Sequence, residues 1–165
     1  MSLNTFVPWI KRQVMKVVIA SDHGGFQYKQ QLIKQIGALG YELTDLGAFD
    51  LLPGDDYPDY AEAVAFALIN SKAEKGILIC GSGAGVSVAA NKFKGIRAAV
   101  CHDTYSAHQC VEHDDVNVLC MGERVIGIEL AKEIVVAFLE AKFSHEERHE
   151  RRLGKITALE NTNMK

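Results

Sequence analysis

GILICGSGAG, residues 76–85, runs five apolar-rich positions straight into a turn with three alternating glycines. A short apolar run without polar alternation is what a parallel strand buried on both faces requires. The residues after it, GVSVAANKF, read as a helix entered through the glycine turn. Strand, glycine turn and helix in that order form the repeating unit of an α/β sheet.

Outward from this unit the same alternation continues. On the amino side, KVVIAS (16–21) is a first buried strand. FQYKQQLIKQIGALG is a helix with Leu32, Ile36 and Leu39 on one face and Gly40 as its stop. YELTDLG is a second strand, and AFDLLPGDDYP a loop rich in turn formers. DYAEAVAFALINSKA is a helix, with Asp59 as the expected cap and Glu62 three residues on. On the carboxyl side come a fourth strand, IRAAVC, a short helix, TYSAHQCVE, and a fifth strand, VNVLCMG. GIELAKEIVVAFLEAKF is an amphipathic helix, and a charged helix follows over about 146–160.

Five strands alternating with helices predict a three-layer, Rossmann-like or flavodoxin-like α/β fold. The expected parallel sheet has order 2-1-3-4-5, helices on both faces and right-handed crossovers. Ligands of such sheets lie beyond the carboxyl ends of the strands, at the switch in strand order. With the switch between strands one and three, SDHGG (21–25) and CGSGAG (80–85) must face each other.

Composition sets the outer bounds. A chain of 165 residues is long enough for one domain with a real core. Its net charge of −3 argues against general affinity for nucleic acid or membranes, so an anion site has to be local. No apolar run approaches the ~20 residues of a bilayer span. Residues 1–14 lack the core and cleavage site of a signal peptide and read as an arm ahead of a single domain over 15–165. Cys80, Cys101, Cys110 and Cys120 include no C-x-x-C pair, and read as reduced thiols in a cytoplasmic protein.

The candidate chemistry gathers at the two facing loops. Gly81, Gly83 and Gly85 match a dinucleotide fingerprint poorly: the third glycine is one residue early, and no acidic residue ends the next strand. The turn does offer backbone N–H groups at a helix start, with Ser82 and Ala84 among them, and these suit an anion. Cys80 ends the strand against those donors, which favour a thiolate. Its other reading is a small core residue. Asp22 and His23 end the first strand, where an aspartate can cap a helix, or the pair can handle a proton or an anion. His113 and Asp114 precede the fifth strand and belong at the amino edge of the sheet, away from Cys80. They are either structural or serve a neighbouring subunit's site.

HEERH (145–149) matches the zinc-hydrolase pattern H-E-x-x-H literally. Its surroundings are charged, Arg148 and Arg152 would oppose a cation, and no third ligand follows. The two arginines, four apart, instead suit a phosphate clamp, or else a solvated helix face.

In order along the chain, SDHGGF, DYPDYA, GILICGSGAGVSVAANKFKGIRAAVC, YSA, EHDDVNVLCMGERVIG and ERHERR resemble the ribose-5-phosphate isomerase B family, which includes galactose-6-phosphate isomerase subunits. The resemblance spans about residues 15–158. It implies an aldose–ketose isomerase of sugar phosphates working through an enediolate without metal or cofactor, as a homodimer or dimer of dimers with shared active sites. By position, Cys80 matches the catalytic base and His113 the residue that opens the sugar ring. Asp22 and His23 match sugar-binding residues, with Asp22 a further acid–base group. Gly81 to Gly85 match the anion loop, Ser82 assisting. Arg124, Arg148 and Arg152 match the arginines that hold substrate, chiefly its phosphate. Asp114 stands where the family commonly has asparagine. An ionised aspartate only accepts hydrogen bonds, whereas asparagine also donates. Ribose 5-phosphate and ribulose 5-phosphate are the expected pair, with allose or galactose 6-phosphate, or binding without catalysis, as alternatives.

Overall fold

The computed structural model describes residues 14–164; the N-terminal arm, up to residue 13, lies outside the described residues. Five parallel strands form one sheet: β1 (Lys16–Ser21), β2 (Glu42–Asp45), β3 (Lys75–Cys80), β4 (Ala98–Val100) and β5 (Val118–Gly122). Six helices connect and flank them: α1 (Phe26–Ala38), α2 (Tyr57–Ile69), α3 (Ala84–Ala90), α4 (Thr104–Asp114), α5 (Ile128–Glu140) and α6 (Glu147–Asn163).

The three-layer α/β architecture is the expected one, but the strand order is 2-1-3-5-4. β5 sits between β3 and β4. Burial explains the exchange. Every residue of β5 is buried, as in β3, whereas the three residues of β4 are only partly covered. A short, half-covered strand belongs at an edge. The exchange also sets β5 beside β3, with Cys80 in register with Gly122.

Alternation along the strands builds two cores. Val17, Ile19, Ile77, Ile79, Leu119 and Met121 point to one face, where α1, α4 and α5 cover them. Val18, Ala20, Leu78, Cys80, Val118 and Cys120 point to the other, under α2 and α3. Ile77 and Leu78 have no exposed surface, and each such side chain contributes roughly 1.5–3 kcal/mol of burial. At the sheet's amino edge Lys75 reaches the carbonyls of Phe138, Leu139 and Ala141. It caps the end of α5 with a cation, favourable at a helix C-terminus. Burial pushes its ammonium down to about 8.

Three local expectations need correction. Leu39 is not on the buried face of α1 but at its C-cap, 46% exposed. Asp56, not Asp59, is the N-cap of α2, because Pro58 fits the first turn, where its missing N–H costs nothing. α4 continues through His113 and Asp114, so both belong to the helix's last turn.

Candidate active site

The turn after β1 and the turn after β3 lie against each other. A Cβ at Gly24 would stand 3.0 Å from the Gly81 nitrogen, and one at Gly25 would strike the Ile79 carbonyl at 2.5 Å. Only residues without a side chain allow this approach. A cleft of about 400 Å³ opens there, lined by Asp22, Tyr57, Cys80, Gly81, Ser82, Gly85, Arg124 and Val125.

Cys80 ends β3 almost fully buried, and its Sγ accepts the Gly83 N–H at 3.0 Å. That contact depends on Gly83 adopting φ +80°, at the cap of α3, where a side chain would meet the Met121 backbone at 2.9 Å. Ser82 is exposed and its Oγ accepts the Ala84 N–H at 3.3 Å. The N–H groups of Gly81, Ser82 and Gly85 have no acceptor among the described residues. The cleft thus holds a sulfur with a donor aimed at it, beside unfilled N–H groups at a helix start.

Arg124 arrives through the strand exchange. Because β5 adjoins β3, Glu123 N–H donates to the Cys80 carbonyl at 2.9 Å and Arg124 N–H to that of Gly81 at 3.1 Å. The exposed Arg124 side chain then lies along Gly81.

Asp22 caps the turn after β1, its Oδ1 accepting the Gly24 N–H at 2.9 Å. Burial raises its carboxyl above the ordinary range. His23 is half-exposed and bonded to Asp55 of the β2–α2 loop, Nδ1 to Oδ1 at 2.6 Å. Asp55 also accepts the His23 N–H at 3.0 Å and the Tyr60 hydroxyl at 2.8 Å. Asp22, His23 and Asp55 offer ligand atoms within 4.8 Å of one another. Asp55 accepts from three donors there and Asp22 Oδ1 from one, so hydrogen bonds tie the three residues to their own loops. Asp55, Tyr57 and Tyr60 were not singled out from the sequence. Their signal was there in GDDYPDY, a turn-rich stretch that puts acids and tyrosines one helix start from the cleft.

The remaining candidates form a second group elsewhere. His113 lies in the last turn of α4, five residues before β5 begins at Val118, whereas Cys80 pairs with Gly122 at the strand's other end. At about 3.3 Å per residue, that register alone separates the two groups by roughly 13 Å. His113 Nδ1 accepts from Gln109 Nε2 at 2.7 Å, and its ring stacks on His149 with centroids 4.1 Å apart. Asp114 lines a groove with Arg97, Ile156 and Leu159. Arg148 and Arg152 share α6 and are exposed, Arg148 meeting Glu146 at 2.8 Å. The two histidines of HEERH part company. His145 precedes the helix at φ +55° and is exposed, while His149 is buried inside α6. They share no helix face, which removes the zinc geometry. His149 Nδ1 meets Ser144 Oγ at 2.6 Å, and its Nε2 is buried without a partner among the described residues. Burial, then His113 and the arginines, hold its imidazole below the usual range.

The family model for ribose/galactose isomerases matches residues 17–156. This chain belongs to that family. Ribose-5-phosphate isomerase B of Escherichia coli is 46% identical over 88% of this chain and 96% of its own length. D-erythrulose-4-phosphate isomerase 2 of Mycolicibacterium smegmatis is 39% identical, covering 88% and 97%. Among solved structures, ribose-5-phosphate isomerase B of Clostridium thermocellum superposes with a TM-score of 0.86 at 44% identity, over 90% of this chain and 99% of that one. The protein is therefore a sugar-phosphate isomerase. No helix among the described residues is long and apolar enough to cross a membrane.

Proposed function

We propose that the protein interconverts ribose 5-phosphate and ribulose 5-phosphate through an enediolate, without metal, as a cytoplasmic homodimer or dimer of dimers with sites shared between subunits. The observation that carries this reading is the Cys80 sulfur held at 3.0 Å by the Gly83 N–H inside a cleft of unfilled donors.

The chemistry needs three acts. The furanose ring opens when a proton reaches the ring oxygen and another leaves the C1 hydroxyl, work for His113 with Asp22. Cys80, as thiolate, takes the proton from C2 of the open aldehyde and returns it to C1, while the proton of the C2 hydroxyl passes to the C1 oxygen, so that the ketone forms at C2 and the alcohol at C1. Between the two transfers the enediolate oxygen carries charge, which the N–H groups of Gly81, Ser82 and Gly85 stabilise. The substrate phosphate supplies remote binding energy that holds the flexible chain in register. Arg124 provides one cation, and Arg148 and Arg152 of a second copy the others.

The sharing is supported by the two groups of residues standing at opposite edges of one sheet. A second copy that lays its α4 end and α6 start over the cleft completes the set. α6 suits such a role, since Ile156 is 43% and Leu159 64% exposed. Tetrose phosphate isomerases among the relatives make chain length the open variable of the substrate, alongside allose and galactose 6-phosphate.

The test is ketose formation from ribose 5-phosphate in EDTA, beside allose 6-phosphate, galactose 6-phosphate and erythrose 4-phosphate. Turnover of ribose 5-phosphate is expected to dominate. Preference for another sugar phosphate changes the substrate and keeps the mechanism; loss of turnover in EDTA contradicts the metal-free reading.

A further inference from the structure

We propose that Asp55 is a positioning residue that fixes the His23 ring beside the cleft-lining Asp22, with Nδ1 donating to Asp55 and Nε2 left to donate to an anionic oxygen of the substrate. The proposal rests on the sugar-phosphate reading above for the identity of the anion.

The geometry is built around one carboxylate. Asp55 is on a loop, yet its side chain is only 11% exposed. Three donors converge on it: the His23 N–H at 3.0 Å, the His23 ring at 2.6 Å and the Tyr60 hydroxyl at 2.8 Å. A carboxylate can only accept, so the ring contact places a proton on Nδ1. Nε2 is then the atom left for a ligand, and it has no partner among the described residues. With Nδ1 fixed as a donor, Nε2 is a lone pair in the neutral ring and a donor in the cation. An anionic oxygen needs the donor.

The charges around His23 favour the cation. Asp55 faces it from the β2–α2 loop, Asp22 from its own turn and Arg124 from the β5–α5 loop. Tyr60, from α2, reaches Asp55 rather than the ring, with Asp59 and Asp22 in turn beside the tyrosine. The Asp55 hydrogen bond raises the imidazole above its usual range; burial and Arg124 oppose this without reversing it. Burial alone would raise Asp55, but the His23 N–H, the His23 ring and the Tyr60 hydroxyl outweigh it and hold the carboxyl low. Asp55 therefore keeps its charge to lower pH, and His23 its proton to higher pH, than the free side chains do, while burial followed by the Asp55 bond pushes the Tyr60 phenol up to about 12, so that it remains a donor. Two carboxylates beside the ring also spare Arg124 a bare cationic neighbour when the cleft is empty.

The test is an NMR titration of the His23 ring in the full-length protein, its signal assigned by loss in His23→Gln. Asp55→Asn is expected to lower the His23 midpoint by about one pH unit. In parallel, the alkaline limb of kcat/KM for ribose 5-phosphate should move down in pH. KM should rise more than kcat falls, and the variant should return to within about threefold of wild type near pH 6. An unchanged midpoint overturns the proposal, as does an activity loss equal at every pH. If Asp55→Asn does not fold, Asp55→Ser removes the charge and keeps an acceptor. Should the wild type turn over no sugar phosphate, the substrate reading fails on its own. Inorganic phosphate then serves as the probe: binding that weakens with the His23 midpoint supports the pair, and binding indifferent to Asp55→Asn overturns it.

Discussion

His113 lies flat against His149, ring centroids 4.1 Å apart, at the edge of the sheet opposite Cys80. The stack ties the end of α4 to the start of α6, and with it the histidine assigned to ring opening to Arg148 and Arg152. Each chain thus carries two groups of candidate site residues that do not meet within it. The buried His149 ring supports the His113 ring. His149→Phe, which keeps a flat ring, should therefore retain more kcat/KM than His149→Ala. Equal losses in the two variants would remove the stack from the account.

Cys80 is the assigned base, and serine at neutral pH is a far weaker one. Cys80→Ser should cut kcat by roughly 100- to 10,000-fold with circular dichroism and Tm near wild type. Substantial residual turnover would point to a different base in the cleft.

Gly83 holds the loop in shape at φ +80°, with the Met121 backbone 2.9 Å from where a Cβ would stand. The left-handed conformation alone costs an alanine roughly 1–2 kcal/mol. Gly83→Ala should lose at least about tenfold in kcat/KM, because removing or tilting an oxyanion donor costs on the order of 100-fold. Unchanged kinetics would show that the turn is a packing element only.

The Asp55–His23 contact also has a pH signature in stability. His23 is raised from 6.5, so its contribution is complete below that value and is lost as pH climbs through the folded value. Asp55 is lowered from 3.8, so its contribution is complete above that value and is lost as pH falls through the folded one. The pair stabilises most between these limits. In urea denaturation, Asp55→Asn should differ most from wild type near pH 5, and less at pH 3 and pH 9. A difference constant with pH would contradict the linkage.

The fold was largely legible because strands buried on both faces announce themselves. KVVIAS and GILIC carry no alternation, and the glycine turns after them mark the cleft. The order of the last two strands was not legible. IRAAVC and VNVLCMG look equally apolar, and only packing reveals that β4 shortens to three half-covered residues at the edge. Site placement shows the same boundary. Cys80, Asp22 and the 81–85 loop follow from topology alone. The Asp55–His23 bond joins residues 32 positions apart, and nothing local in GDDYPDY says which acid turns inward. HEERH misleads for a related reason: spacing presumes a helix, and the helix begins only after His145.

The central claim is that each active site takes Cys80 from one chain and His113 from another. Cys80→Ala and His113→Ala should each be inactive alone. Dissociated, mixed in equal amounts and reassembled, they should regain on the order of a quarter of wild-type specific activity, since half the dimers are mixed and each holds one intact site. Mixed oligomers that form, as shown by differently tagged chains, yet stay inactive would contradict it.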